Sequence, residues 1–178
     1  MNQPVLVQPN RKWVEANGVI RLSGVADETA GRLWMPRLES KGCRVSTRAM
    51  GILHSPQFTL TKAGNIEIVI LKGALFADDA RTTRDIRDMA YCLCLPNPNP
   101  DIACIIRSML TDDDIEAMEL WDIAVMHEPD DSCGYPRLLR VNRRDGGRWL
   151  RAFSIDSGSR WRRGRGFAFA ARPTQSSS

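Results

Sequence analysis

Ten arginines crowd the stretch from 137 to 165: Arg137, Arg140, Arg143, Arg144, Arg148, Arg151, Arg160, Arg162, Arg163 and Arg165, interleaved with Trp149 and Trp161. A guanidinium contacts phosphate through two parallel N–H groups and stacks on flat rings, and an indole offers its face to an unpaired base. A β-ribbon with such edges is one way to hold nucleic acid. The candidate binding set is therefore Arg140, Arg143, Arg144, Arg148, Trp149, Arg151, Arg160, Trp161, Arg162, Arg163 and Arg165. The bland alternative is a solvated sheet face whose arginines pair with acidic helices near 78–88 and 112–119 of the same chain. Charge is divided accordingly. Residues 1–133 carry 14 basic and 19 acidic side chains, a balance of −5, whereas residues 134–178 carry 11 arginines against Asp145 and Asp156, a balance of +9. No lysine follows Lys72.

A second constellation lies just upstream. His127, Cys133 and Asp131, with Asp130 beside it, fall in one loop leaving an apolar stretch, where a thiolate–imidazole pair oriented by a carboxylate would be placed for nucleophilic chemistry. The bland alternative is a surface loop with a histidine at a strand end. His127-Glu128 is not a metalloprotease motif, because position 131 is Asp after Pro129 where a second His is needed. Cys92, Cys94, Cys104, Cys133 and His127 do not have the ligand spacing of a zinc site, so no metal is expected. Gly164-x-Gly166 lacks the third glycine and the following helix of a phosphate loop, and no cofactor is implied. Residues 30–53, with Gly42 in a turn and Ser46 opening a second helix, allow a loose helix-turn-helix reading, which Pro36 disturbs.

These residues have to be positioned by a chain of 178 residues, the size of one domain. The expected division is a loose segment over 1–12, one α+β domain over 13–173 with an arginine-rich β-meander at 135–172, and a disordered tail over 174–178. Val5-Leu6-Val7 is too short for a signal peptide, and no apolar run approaches the roughly 20 residues that span a bilayer, so no membrane is expected. Five cysteines, an odd number without framework spacing, fit reduced thiols in a cytoplasm.

Along the chain, Val14 to Val25 reads as a short strand or extended segment, and Asp27 or Thr29 caps a helix to about Lys41. Ser46 caps a second helix through Leu53, Ile66 to Leu71 is the clearest strand, and a helix is predicted from Asp78 to about Leu93. Pro100 to Met109 forms another helix, and Thr111 caps one with an acidic first turn. Trp121–Met126, Leu138–Asn142, Arg148–Phe153 and Phe167–Ala170 read as strands, with Arg144-Asp145-Gly146-Gly147 a tight turn. Trp13, Trp34 and Trp121 fall within apolar patterns and are expected in the core. The fold class is α+β: several short helices packed on one face of a mixed, mostly antiparallel sheet of about five strands.

The runs Glu116-Ala117-Met118-Glu119-Leu120-Trp121, Val125-Met126-His127-Glu128-Pro129 and Gly146-Gly147-Arg148-Trp149-Leu150, with Arg160-Trp161 and Gly166-Phe167-Ala168-Phe169, resemble a group of small bacterial proteins. That resemblance implies a bacterial source and a self-contained domain, and it carries no activity. The expectation is therefore a non-enzymatic binding or regulatory protein whose cationic C-terminal sheet meets nucleic acid or an acidic protein surface, nucleic acid being favoured. The alternative is a small hydrolase or transferase using the His127–Cys133 loop.

Overall fold

Asn17 and Gly18 both hold left-handed backbone, φ 51° and 77°, and fold the first apolar stretch back on itself. The two-residue hairpin turn that matches strand twist needs positive φ at both central positions, which an Asn-Gly pair accepts. The computed structural model describes residues 11–143, 146–156 and 158–171. In it the stretch read as a short strand or extended segment is two strands, β1 (Trp13–Ala16) and β2 (Val19–Ala26), paired antiparallel. The proposed loose segment lies outside the described residues except for Arg11 and Lys12, and the tail 174–178 and the turn residues Arg144 and Asp145 lie outside them altogether.

The remaining elements are α1 (Gly31–Glu39), β3 (Cys43–Val45), α2 (Thr47–Leu53), β4 (Gly64–Lys72), α3 (Thr83–Cys92), α4 (Asp101–Met109), α5 (Asp112–Ala117), β5 (Asp122–Val125), β6 (Arg137–Asn142), β7 (Arg148–Ser154) and β8 (Arg165–Ala171). Side chains set the helix starts. Ser46 accepts a hydrogen bond from the Ala49 N–H at 3.2 Å, and Thr82 with Asp85 and Thr111 with Asp114 form reciprocal capping boxes. So α3 begins at Thr83 rather than Asp78, and Asp78 pairs instead with the buried Arg81.

One mixed sheet of eight strands runs in the order β1-β2-β4-β8-β5-β6-β7-β3. Its parallel pairings are β5 with β8 and β3 with β7, and the rest are antiparallel. The C-terminal meander runs through the β6–β7 hairpin before β8 crosses to lie between β4 and β5. The fold is α+β.

Strand alternation splits the core in two. Ile68 and Ile70 of β4 face a layer built from Trp34, Leu38, Ile52, Ile102, Ile106 and Ile115, carried by α1, α2, α4 and α5. Val69 and Leu71 face the other way, toward Ile86 and Ala90 of α3 and Phe167, Phe169 and Trp161. Helices therefore cover both faces, not one, because β4 is apolar on both sides and α3 carries its own apolar stripe. Trp13 and Trp34 are buried as expected, but Trp121 is 45% exposed; it precedes β5 and stands against Gly164.

Where α1 meets α2, a Cβ built on Gly31 would lie 1.9 Å from the Leu53 carbonyl oxygen. Gly31→Ala is expected to cost about 3 kcal/mol, the upper part of the range for overpacking. The urea midpoint reads this directly, and an unchanged midpoint would contradict the close approach.

Candidate functional site

The registers of β8, β5, β6, β7 and β3 line up side chains across the sheet. One row runs Arg165, Asp122, Asn142, Trp149, Arg44. The next runs Phe167, Ala124, Arg140, Arg151. Leu138 and Phe153 pair in a third. Alternate residues share a face, so all three rows lie on the face that carries α3. The helix packs its Ile86 and Ala90 on the apolar residues, and the polar rows keep access to solvent. Arg44 is exposed, while Arg140, Trp149, Arg151 and Arg165 are half-buried.

The guanidinium groups of these rows lie over rings. Arg151 and Arg44 flank Trp149, their guanidinium carbons 4.4 and 5.5 Å from its ring centroid. Arg140 and Arg165 approach the Phe153 ring at 5.5 and 5.7 Å, and Arg165 also lies 5.2 Å from that of Trp161. Such contacts contribute roughly 0.5–1 kcal/mol each at exposed sites and more when desolvated. Asp122, 3% exposed, is shared by two of the arginines: Oδ2 lies 3.2 Å from Arg140 Nη1 and Oδ1 lies 3.2 Å from Arg165 Nε. Of the four arginines in these two rows, Arg140 and Arg165 meet this carboxylate, and Arg44 and Arg151 stand at Trp149. Burial pushes the Arg165 guanidinium below its usual range, Asp122 pulls it back up, and Arg140 and Arg162 push it down again. It nonetheless stays charged. The cations repel one another, and a further anion would relieve that repulsion.

The arginine-rich segment therefore divides. Arg140, Trp149, Arg151 and Arg165 meet on the open part of the face. Arg148 lies on the opposite face, where it donates to the carbonyls of Lys41, Arg107 and Leu110, each at 3.1 Å, and closes the C-terminal end of α4. Trp161 is 8% exposed, its Nε1 donating to Thr83 Oγ1 at 3.0 Å and its ring edge-to-face with Phe153 and Phe167. It is a core residue and not a stacking platform. Arg143 is tied to α5, its Nε donating to Leu120 O at 2.9 Å and Nη1 lying 3.6 Å from Glu116. Arg160, Arg162 and Arg163 are exposed on the β7–β8 connection, and Arg144 lies outside the described residues. Arg44 joins the face though sequence reading passed it over, since β3 is only three residues long and exists through its pairing with β7.

The other loop is organised for structure. His127 is 1% exposed; its Nδ1 sits 2.6 Å from Glu128 O and its Nε2 accepts the Leu139 N–H at 3.0 Å. Both nitrogens are thus committed to backbone, as a neutral ring that donates from Nδ1. Cys133 is exposed and its Sγ donates to Tyr135 O at 3.8 Å, while Asp131 accepts from Gln57 Nε2 at 2.8 Å. Each of the three is thus held by a partner outside the trio: His127 by two backbone groups, Cys133 by a carbonyl and Asp131 by Gln57. Among the described residues no group of three His, Cys, Asp or Glu side chains could hold a metal ion. The helices read as a helix-turn-helix, α1 and α2, are separated by β3 and bury Leu38, Ala49, Ile52 and Leu53 against the sheet.

Compared with known proteins, the chain matches no family, no curated protein and no solved structure. Among the described residues no helix is long and apolar enough to cross a membrane.

His127 ties stability to pH. Burial, then Arg87, hold its pKa down at about 4 against an ordinary 6.5, while the Glu128 carbonyl opposes them. Between those values the unfolded chain binds more protons than the folded one, so acid favours unfolding. Stability is complete above pH 6.5 and falls as pH drops toward 4, by about 3 kcal/mol in all. Chemical denaturation across pH 4 to 7 should show this slope, and His127→Gln should flatten it. A wild-type curve level over that range would contradict the assignment.

Proposed function

We propose that this chain is a non-enzymatic binding protein that holds an unpaired nucleic-acid strand across the β8-β5-β6-β7-β3 end of the sheet. The observation that carries the reading is Trp149, half-buried and flanked by Arg44 and Arg151 on an accessible sheet face. A strand has two things such a surface can use: a line of phosphates for guanidiniums, and flat bases for the indole and the stacked guanidinium planes. In a duplex the bases are already stacked, and only the phosphates remain. An acidic protein surface would use the charge but leave the ring-and-guanidinium stack without a planar partner. Nucleic acid therefore accounts for more of the arrangement.

Arg140 and Arg165 reinforce the face from its centre, where Asp122 neutralises only part of their charge. Arg160 and Arg162, exposed on the adjoining connection, extend the positive potential beyond the sheet edge. The five cysteines are unpaired, three of them exposed, which suits a reducing compartment such as a bacterial cytoplasm.

Fluorescence anisotropy with a labelled oligothymidylate tests the reading. The affinity should fall with salt at a log–log slope of about −2, the value for roughly three phosphates neutralised on a single strand. Trp149→Ala should weaken binding about tenfold, within the range for loss of one base–aromatic stack. A duplex of the same length should bind more weakly. Salt-independent binding, or a Trp149→Ala protein that binds as the wild type does, would overturn the proposal.

A further inference from the structure

A small pocket opens between the first turn of α3 and the β7–β8 connection, bounded by Phe153, Asp156, Ser159, Arg160, Trp161 and Arg165. It adjoins the face described above, because Phe153 and Arg165 belong to both. It encloses about 150 Å³, whereas pockets for whole drug-sized ligands run from roughly 300 to 1,000 Å³. That room suits one ring system and not a complete nucleotide.

The lining has a chemical direction. Phe153 and Trp161, edge-to-face at 5.0 Å, supply an aromatic wall. Arg165 is already engaged by Asp122, so its charge is partly committed. Arg160 is exposed, with no ion pair recorded among the described residues, and offers a fork of N–H donors. Asp156 is exposed as well, and one of its carboxylate oxygens accepts a long hydrogen bond, 3.4 Å, from the Gly158 N–H. A carboxylate and a guanidinium that line one pocket with two aromatic rings match a flat ligand with adjacent donors on one edge and adjacent acceptors on another. Guanine has both: its N1–H and N2–H₂ groups can be accepted by one carboxylate, and its O6 and N7 can accept from one guanidinium. Adenine, cytosine and thymine each lack the paired donors.

We propose that this pocket receives a single guanine base turned out of the strand bound on the sheet face, with Asp156 accepting from its Watson–Crick edge and Arg160 donating to O6 and N7. The assignment rests on the strand-binding reading and adds base preference to it. The strand would lie along the Arg165–Trp149 row and feed one base past Arg165 into the gap beside α3.

The test uses the full chain and four labelled deoxyoligonucleotides, all thymidine except for a single central dG, dA, dC or dT. In the wild type the dG strand should bind about tenfold tighter than the dT strand, the scale of one well-formed bidentate contact. The dA and dC strands should stay close to dT. Asp156→Asn should bring the dG-to-dT ratio to about one, and Arg160→Ala should reduce it. Both residues are exposed, so a circular dichroism melt should show these variants folded. Four equal affinities in the wild type, or a dG preference that survives Asp156→Asn, would overturn the pocket assignment while leaving salt-dependent strand binding in place. If no oligonucleotide binds at all, the strand-binding reading fails and this assignment fails with it.

Discussion

A single buried carboxylate holds the cationic face together. Asp122 opens β5 in the middle of the sheet, and its two oxygens meet Arg140 from β6 and Arg165 from β8. Without it, guanidiniums on β6 and β8, the strands on either side of β5, would repel each other in a partly desolvated setting. With it, both arginines can approach the Phe153 ring, at 5.5 and 5.7 Å from its centroid. The balance is incomplete: one negative charge organises two positive ones without cancelling both.

Strand alternation then assigns the arginines to different tasks. Along β7, Trp149, Arg151 and Phe153 face the α3 side, whereas Arg148, Leu150 and Ala152 face the large helical layer. Arg148 consequently spends its donors on three main-chain carbonyls at the end of α4. Arg107, fully buried nearby, serves the same junction through Leu110 O at 2.6 Å and Asp112 at 3.1 Å. Arginine density in a sequence thus mixes two populations, one that closes the end of α4 and one that lies over rings on the α3 side of the sheet.

Much of the architecture was legible because the signals were local. Ser46 and Thr111 cap helices where the sequence placed them, and Ile66–Leu71 has the composition of a strand, whereas Asp78 drew the expected start of α3 away from its cap at Thr82. The misses were of another kind. β3 has too few residues to show a pattern and exists because β7 offers it a partner, so Arg44 could not be placed beside Trp149 in advance. Asn17-Gly18 did carry a hairpin signal, and the apolar run around it concealed the turn. Trp161 looked accessible because it sits between arginines outside any strand, yet long-range packing of Phe153 and Phe167 draws its ring inside. His127 gave no sign of its burial, since its partner Leu139 lies on another strand.

The two-faced β7 strand also restricts how this protein can change over evolutionary time. A residue gained or lost ahead of Trp149 within the paired segment would exchange the two sides of the strand, sending the indole into the helical layer and the α4-closing guanidinium into solvent. Substitutions can drift one at a time, but the spacing between Arg148 and Phe153 cannot. Length variation among descendants should therefore gather in the connections on either side and spare the strand itself.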